Sequence, residues 1–537
     1  TREEARAQLT AALVAATGKQ CEIATKAGVQ TAVDFAEIDP PLVKANEPGF
    51  LALARCAEGA KFYHFMNSIA LDIYAADPKY HPELLARAML GLGEFRISLD
   101  ILKKAAKASP KDGDILVTIA KAACKLEVWP ECLKAADATL KTIGTPSTKD
   151  KKEIAWRADK YRARALLHTG KFADATRAVT AAEKLGGGEK ELDEIAKLAA
   201  NGARHKTLVE SSFSPSIPLG GYHLFGKIKP VGSVATLKVS NMDSKAAEMR
   251  VEAEISGVTE KASKTITVLP GKTEAIELNP PLKSGFDVGS IRADMTAQLV
   301  LRVTRTDNND VAYDESESIT MLPRDTLPLL RKMRDGQSRW TAEFIGAWVT
   351  PNAKAVDEFL SAAKKRLPAG ASFSGGQSPT MPQVKAIYDE LHARGMSYVM
   401  DPDLFVDGAE LVQRTRLPSD VLATTNAQCI EGAILYATLL EAIGLRPVVT
   451  LAKGHSWVGW HPEGHDTPPT RRPGLFWLET TVTGRATFEQ ALATGDDMYY
   501  VRHANDWLPP PKGALGYGWV DIAELRAHGI TPQPWDR

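Results

Sequence analysis

The sequence predicts a multidomain protein built from a helical repeat array, an all-β sandwich and a mixed α+β domain. Three observations support this prediction. An aromatic phrase recurs at the spacing of helical hairpins near the start, apolar and polar residues alternate through the middle, and helix and strand patterns mix towards the end. The predicted domain bounds are residues 1–206, 211–325 and 330–537.

Length and composition narrow the class of protein. The chain has 537 residues, of which 44% are hydrophobic and 25% charged, as in folded proteins with more than one core. Lys+Arg and Asp+Glu both number 66, so the formal net charge is zero and the basic excess typical of nucleic-acid-binding proteins is missing. No apolar run approaches the ~20 residues of a membrane span. We therefore expect no nucleic-acid partner and no membrane span.

Cysteine usage bears on the compartment. The cysteines are odd in number, scattered and without a CxxC pair: Cys21, Cys56, Cys124, Cys132 and Cys429. This pattern predicts neither a disulfide framework nor a zinc site, and it favours a reducing, cytoplasmic location. Because the chain starts at Thr1 rather than at Met, removal of an upstream signal segment stays an open alternative.

The first domain, residues 1–206, is rich in Ala, Leu, Lys and Glu, a composition that favours helix. A turn residue followed by an aromatic recurs at intervals of 34 and 43 residues: Gly93-Glu94-Phe95, Glu127-Val128-Trp129 and Gly170-Lys171-Phe172. Three positions after each aromatic comes a small residue, at Ser98, Cys132 and Ala175. Seven positions after it comes an apolar residue, at Leu102, Ala136 and Val179. This spacing predicts closely packed antiparallel helix pairs.

This rhythm resembles a tetratricopeptide repeat array of about three units. The resemblance implies a concave surface that binds a protein or peptide partner. A generic helical bundle is the alternative interpretation. Further helices are expected before His81, and Cys124 and Cys132 are expected to be buried structural thiols within helices.

The middle domain, residues 211–325, has the alternation of strands. Met249, Val251, Ala253 and Ile255 share one face of a predicted strand. The acidic stretch 307–310 separates two further strand patterns and lacks the spaced oxygen ligands and glycine of a calcium loop, so it is predicted to be a hairpin tip. Roughly seven short strands predict an immunoglobulin-like or fibronectin-like β-sandwich. We interpret it as a spacer.

Cys429 is the first candidate catalytic residue of the third domain. It precedes an apolar stripe of helical spacing that Gly444 is expected to end, formed by Ile430, Ala433, Ile434, Ala437 and Leu440. At a helix N-terminus, unpaired amides and the helix dipole stabilise a thiolate, and backbone N–H groups are available to hold an oxyanion. This position favours a nucleophile over a structural thiol.

Two further residues complete a possible triad. His455 opens a strand pattern 26 positions after Cys429, and Glu479 ends another strand 24 positions after that. A His with one ring nitrogen towards a thiol and the other towards a carboxylate serves as general base and then as general acid. The sequence therefore predicts Cys429, His455 and Glu479 as catalytic residues, with no cofactor and no metal.

Around these residues the chain resembles the transglutaminase-like superfamily, and in particular a bacterial branch with a β-domain directly upstream. The resemblance rests on NAQC before the helix, AIGLRP at its end, GHSWV at the base and LETT at the acid, and it extends over about residues 330–493. It implies a papain-like core with Cys429 as nucleophile, His455 as base and Glu479 as third member. Glu departs from the usual Asp, because its extra methylene group needs a different strand register to reach the imidazole.

Three assignments stay open at this point. The upstream oxyanion donor has three candidates, namely Asn426, Gln428 and Gln413. His461 and His465 have the four-residue spacing of a helical zinc pair, but they lie in a Pro- and Gly-rich loop, so a metal site is the less favoured interpretation. Four aromatic residues are predicted either to line a substrate groove or to pack in the core, namely Trp457, Trp460, Phe476 and Trp477.

The function predicted from the sequence is a cysteine protease or amidase. It would cleave a protein or peptide substrate through a thioester, with the helical repeats recruiting the substrate or a partner. Two alternatives stay open. A protein cross-linking transglutaminase would transfer the acyl group to an amine, and a non-catalytic scaffold would retain only a degenerate papain-like domain. The intact Cys, His and Glu set favours the enzyme.

Overall fold

The computed structural model describes residues 2–25, 40–60, 62–76, 82–229, 231–332, 338–400, 411–452, 454–463, 466–471, 473–503 and 518–536. The chain forms two compact units. Unit 1 comprises residues 1–208 with 241–244, and unit 2 comprises residues 209–240 with 245–537. Helices and several sheets are both present, as the sequence predicts. None of the described helices is long and apolar enough to cross a membrane.

Unit 1 is helical. Its described helices are α1 (Arg2–Thr17), α2 (Cys21–Ala24), α3 (Pro40–Ala45), α4 (Glu47–Gly59), α5 (Tyr63–Ala76), α6 (Pro82–Gly91), α7 (Phe95–Ala108), α8 (Gly113–Lys125), α9 (Trp129–Ile143), α10 (Lys149–His168), α11 (Phe172–Lys184) and α12 (Lys190–His205). Helices before position 81 are present as predicted, although His81 itself lies outside the described residues. From α6 to α12, each helix packs against the next one in the chain.

The recurring aromatic phrase marks helix starts. Helices α7, α9 and α11 begin at Phe95, Trp129 and Phe172, as predicted. Two positions before each aromatic the chain turns at a residue with positive φ, namely 82° at Gly93, 59° at Glu127 and 74° at Gly170. The predicted small residues are fully buried, at Ser98, Cys132 and Ala175. Their size lets the paired helices approach closely, so the predicted packing of the hairpins is confirmed at these positions.

Two disulfide bonds correct the predicted cysteine chemistry. Cys21 is bonded to Cys56 and Cys124 to Cys132, with Cα–Cα distances of 5.0 and 5.1 Å. The first bond joins α2 to α4, and the second joins α8 to α9 across their connecting turn. The prediction of unpaired thiols is wrong for these four cysteines, because helix packing brings together residues that show no pairing pattern in sequence. Cys429 is a free cysteine.

Eight described strands follow the helices. They are β1 (Thr207–Phe213), β2 (Ser216–Pro218), β3 (Ala235–Asn241), β4 (Ala247–Ile255), β5 (Ala262–Val268), β6 (Thr273–Leu278), β7 (Met295–Arg305) and β8 (Val311–Leu322). One sheet has the strand order β1-β3-β6, and the other has the order β2-β8-β7-β4-β5. The alternation predicted for β4 is confirmed, because every second residue from Ala247 to Ile255 is buried.

The acidic stretch 307–310 lies at the tip of the β7–β8 hairpin, as predicted. Arg305 donates to the Asp307 carboxylate over 2.9 Å, and this hydrogen bond lowers the pKa of Asp307. Asn308 accepts the backbone N–H of Asp310 through its side chain, over 3.0 Å. The side chains of Asp307 and Asn308 therefore both accept hydrogen bonds from groups of the hairpin itself.

The second half of unit 2 mixes short helices and strands. The helices are α13 (Ile345–Trp348), α14 (Lys354–Ala363), α15 (Thr380–Ala393), α16 (Pro418–Thr424), α17 (Cys429–Ala442), α18 (Phe488–Asp497) and α19 (Ile522–Ala527), with a π-helix at Met498–Arg502. The strands are β9 (Thr326–Lys332), β10 (Ser338–Trp340), β11 (Ser397–Tyr398), β12 (Leu411–Arg414), β13 (Asn426–Ala427), β14 (Pro447–Thr450), β15 (Val458–Trp460), β16 (Phe476–Leu478) and β17 (Trp519–Asp521).

An antiparallel sheet of order β16-β15-β14-β17 forms the frame for the candidate site. Helix α17 packs against β14 and β15. Strand β17 belongs to the C-terminal segment and pairs with β14, so this segment packs on the sheet as predicted. Residues 504–517 lie outside the described residues. One hydrophobic core runs through both halves of unit 2, from Val209 to Ile530. The division of this unit into domains 211–325 and 330–537 stays a prediction.

We expect a single reactive thiol in the unreduced, denatured protein. Alkylation without reductant should modify Cys429 alone, and alkylation after reduction should modify all five cysteines, because four of them are paired. Peptide mass spectrometry measures both states and identifies the cross-linked peptides. Alkylation of Cys124 or Cys132 in unreduced protein purified under air would contradict the second bond.

Candidate active site

Strand pairing brings His455 and Glu479 together. Val458 in β15 lies opposite Leu478 in β16, so the residues just before β15 meet the residue just after β16. A tight turn with Gly454 at φ 74° places His455 at this end of the sheet, where its backbone pairs with that of Ala452. The side-chain atoms His455 Nε2 and Glu479 Oε2 are 2.7 Å apart. Glutamate therefore reaches the imidazole from this register.

The Glu479 carboxylate is fully buried, and each of its oxygens accepts hydrogen bonds. Oε2 accepts from His455, while Oε1 accepts from the backbone N–H and the hydroxyl of Thr481 over 2.8 and 2.6 Å. Burial alone would raise the pKa of Glu479, but the hydrogen bonds from His455 and Thr481 outweigh it and lower that pKa. The side chain is thus held ionised and fixed in orientation.

Cys429 is the first residue of α17, as predicted, and its side chain is fully buried. The apolar positions of α17 are buried on all sides, and its end is closed at Gly444, which has φ 82°. The first-turn amides of a helix have no acceptor within it, so they carry partial positive charge next to the sulfur. The sulfur of Cys429 therefore lies beside unpaired backbone donors.

The imidazole of His455 interacts with both partners. Because Nε2 donates to Glu479, Nδ1 is the ring nitrogen left for the thiol of Cys429. Burial disfavours the imidazolium, but the hydrogen bonds and charges of Cys429 and Glu479 outweigh burial and raise the pKa of His455 to about 10. The imidazole is therefore held protonated at neutral pH, ready to supply a proton to a leaving group.

An ion pair with a buried carboxylate anchors the start of the helix that carries the nucleophile. Glu431, two residues after Cys429, is buried and accepts from the backbone N–H and the guanidinium of Arg416 over 2.7–2.9 Å. Its Oε2 also accepts the backbone N–H of Gln428 over 3.1 Å, which caps the helix. Arg416 therefore has a positioning role for the start of α17.

Close packing holds the helix against the acid strand. A Cβ atom on Gly432 would lie 2.8 Å from the hydroxyl oxygen of Thr480, which is too close for any larger residue. Thr480 directly follows Glu479 in the chain. Glycine at this position therefore sets how near the nucleophile helix comes to the His455–Glu479 pair.

The three candidate oxyanion donors are all engaged. Gln413 donates to the side-chain oxygen of Gln428 over 2.6 Å, Gln428 donates to the carbonyl of Arg414, and Asn426 donates to the carbonyl of Thr424 over 3.1 Å. The backbone N–H of Cys429 lies in the first helical turn beside the sulfur. Each side-chain amide keeps a second N–H, so the upstream oxyanion donor stays open, and the Cys429 N–H is a further candidate.

Two residues beside the site were missed from the sequence. The ring of His503 lies 5.7 Å from that of His455 and 5.5 Å from that of Trp457, centroid to centroid. Tyr398 is in β11, which pairs with β13 just before Cys429. Burial raises the pKa of Tyr398, with further contributions from the charges of Cys429 and Glu479. No spacing rule links either residue to the triad, so only packing identifies them.

The remaining open assignments have structural answers. His461 Nε2 lies 2.8 Å from a carboxylate oxygen of Asp521 in β17, and His465 lies outside the described residues. Among the described residues, no group of three or more His, Cys, Asp or Glu side chains could hold a metal ion. Trp457, Trp460 and Trp477 are buried, so they pack in the core, and Phe476 is partly buried.

Replacing Glu431 with Gln should destabilise unit 2 by about 1–2 kcal/mol, because it removes the carboxylate that pairs with the partly exposed Arg416 guanidinium and that accepts the backbone N–H of Gln428. The measurement is equilibrium denaturation followed by tryptophan fluorescence. Glu358→Gln is the matched control, since Glu358 forms an exposed ion pair with Lys354 on α14 and should change stability by less than about 0.5 kcal/mol. Equal effects of the two substitutions would refute the anchoring role.

Stability should depend on pH through His455. The folded-state pKa of His455, about 10, exceeds the ordinary value of 6.5. The stabilisation of the folded state by protonated His455 is therefore complete below about pH 6.5 and is lost as the pH rises through about 10. The difference in melting temperature between the wild type and His455→Gln should therefore shrink over this range. In Cys429→Ala the loss should be smaller and complete at lower pH, because one partner that raises the folded-state pKa of His455 is gone. A pH-independent difference would exclude a raised His455 pKa.

No model of a known protein family matches this chain, and no curated protein matches it significantly. The resemblance to the transglutaminase-like superfamily therefore rests on the motifs around Cys429, His455 and Glu479, and membership stays a prediction.

Proposed function

We propose that this protein is a cysteine-dependent acyl-transfer enzyme that hydrolyses amide bonds in protein or peptide substrates. The observation that supports this most directly is the 2.7 Å contact between His455 Nε2 and the buried Glu479 carboxylate. This contact leaves the other nitrogen of the imidazole, Nδ1, for Cys429. A nucleophile at a helix start, a base and an orienting acid are the three groups that such chemistry needs.

In the first step, Cys429 Sγ attacks the carbonyl carbon of the substrate amide. The electron pair of the C=O bond moves to oxygen, and the backbone N–H of Cys429 stabilises the oxyanion. When the tetrahedral intermediate collapses, the C–N bond breaks and His455 donates its proton to the departing nitrogen. A thioester and a free amine result.

In the second step, water attacks the thioester carbon while His455 accepts a proton from it. The C–S bond breaks, a carboxylic acid leaves, and the thiolate–imidazolium pair is restored. Glu479 holds the imidazole in orientation and stabilises its charged form throughout. An amine in place of water would give cross-linking, and hydrolysis is favoured because water is the default acceptor.

The other parts of the chain support a role in recruitment. Antiparallel helix pairs like those of α6 to α12 are typical of surfaces that bind a peptide or protein, so we assign partner or substrate recruitment to unit 1. The two disulfide bonds of unit 1 favour an oxidising compartment over the cytoplasmic location predicted from the cysteine pattern.

The function is tested by the reactivity of Cys429. Methyl methanethiosulfonate should modify Cys429 in the native wild type at least about 100-fold faster than in His455→Ala, because the imidazolium maintains the thiolate. The rate is measured by intact-protein mass spectrometry under non-reducing conditions.

The matched control for this reaction is His461→Ala, which removes a histidine that is also paired with a carboxylate but belongs to a different pair. Its Cys429 should react at the wild-type rate. Equal rates in the wild type and His455→Ala would overturn the assignment of His455 as the activating base.

A further inference from the structure

The imidazole of the candidate base belongs to a cluster of three aromatic rings. The ring of His455 lies 5.5 Å from that of Trp457 and 5.7 Å from that of His503, centroid to centroid, at interplanar angles of 28° and 26°. The rings of Trp457 and His503 are themselves 5.5 Å apart. Each pair therefore lies within the separations, roughly 4.5–7 Å, at which aromatic rings attract one another.

These ring contacts act on His455 from a different direction than its hydrogen bond does. Glu479 holds one edge of the imidazole, by accepting from Nε2 over 2.7 Å. A hydrogen bond tolerates a deviation of roughly 30° from linearity, so the bond to Glu479 allows the ring some tilt. A ring packed against the imidazole opposes that tilt, because the imidazole would have to displace it. The direction of Nδ1 therefore depends on the neighbouring rings as well as on Glu479.

Trp457 is a rigid member of the cluster. Its side chain is fully buried. Its backbone N–H donates to the hydroxyl of Thr450 over 2.8 Å, and its carbonyl accepts the backbone N–H of Thr450 over 2.9 Å. The position of Trp457 is therefore set by strand β14, which carries Thr450.

His503 is held from another part of the chain, directly after the π-helix. Its backbone N–H donates to the carbonyl of Met498 over 3.0 Å, which closes the last turn of that helix. Tyr499 anchors the same helix to the sheet, since its ring stacks on that of the buried Trp477 at 4.1 Å and 12°. A π-helix is rare and is found mostly at functional sites. This one brings the ring of His503 to the ring of the candidate base.

The charge of His455 gives the ring of His503 a second effect. In the proposed mechanism His455 is protonated while Cys429 is a thiolate, and an aromatic ring within about 6 Å stabilises a cation that lies over its face. The charged residues next to His503, Asp497 and Arg502, pair with each other over 2.6 Å. What the end of the π-helix offers to the imidazolium is therefore an aromatic ring.

We propose that His503 is a positioning residue of the triad: its ring packs on the imidazole of His455, restricts the tilt of that ring and stabilises its protonated form. This inference rests on the proposed function and adds a fourth residue to its machinery. Its consequence is that the thiolate of Cys429 persists to lower pH than it would without the ring of His503.

Three substitutions separate an aromatic ring from mere volume. His503→Phe keeps a ring, His503→Leu keeps a similar volume without a ring, and His503→Ala removes both. The rate at which methyl methanethiosulfonate modifies Cys429 is measured by intact-protein mass spectrometry from about pH 3 to about pH 9, over the range in which circular dichroism shows each variant folded. The rise of this rate with pH reports the formation of the thiolate.

The Phe variant should follow the wild-type profile to within about twofold. In the Leu and Ala variants the profile should move to higher pH, so that the rate on its acidic limb falls about three- to tenfold, as expected for the loss of one ring contact with a cation. Equal shifts in the Phe and Leu variants would show that the ring is not used and would overturn the inference. If the Ala variant does not fold, the comparison of Phe with Leu still decides.

His168→Leu is the matched control. His168 also stacks on a tryptophan, Trp129, with ring centroids 3.8 Å apart, but it lies in unit 1. Its substitution should leave the pH profile of Cys429 unchanged. A shift as large as that of His503→Leu would mean that the profile responds to any loss of a stacked histidine, which contradicts a specific role for His503.

Failure of the proposed function gives a different pattern. If the wild type and His455→Ala react at equal rates across the pH range, His455 does not activate Cys429 and the proposed function fails. If His455→Ala loses the activation while all three variants at position 503 follow the wild type, the proposed function stands and the role of His503 is wrong.

Discussion

The buried charge of Glu479 is the constraint on which the candidate site depends. A fully buried carboxylate is strongly unfavourable unless each of its oxygens is hydrogen-bonded, and here three hydrogen bonds from His455 and Thr481 meet that need. The same bonds fix the imidazole plane and leave one ring nitrogen towards Cys429. The same contacts therefore stabilise the buried charge of Glu479 and orient the ring of His455. They stay intact only while β15 and β16 keep their register.

The nucleophile is positioned by a second, independent set of contacts. Helix α17 is packed on all sides, its start is anchored by the Glu431–Arg416 pair, and Gly432 lets it approach Thr480. The thiol is thus carried by the start of a helix, and the imidazole by the turn at Gly454 that precedes β15. The one tight turn in the arrangement, at Gly454, is short and has its neighbours paired in a bridge.

Most features that could be predicted from the sequence follow from the residue pattern within a single helix or strand. The aromatic phrase located the starts of α7, α9 and α11, alternation located the buried face of β4, and the apolar stripe located α17 with Cys429 at its first residue. Each of these features depends on the periodicity of one element, which neighbouring residues encode. Cys429, His455 and Glu479 were proposed as candidates for the same reason, since each lies at the edge of a regular element.

Tertiary structure alone decided the contacts between distant elements. The disulfide partners Cys21 and Cys56 meet because α2 and α4 pack together, and no spacing pattern predicts that pairing. His503 reaches the ring of His455 only because the π-helix folds back onto the sheet, and the contact of Glu479 with His455 depends on the β15–β16 register. The sequence by itself thus determined which elements form and which residues begin or end them. Packing decided which of those residues touch, because contact depends on how separate elements approach rather than on the period of any one of them.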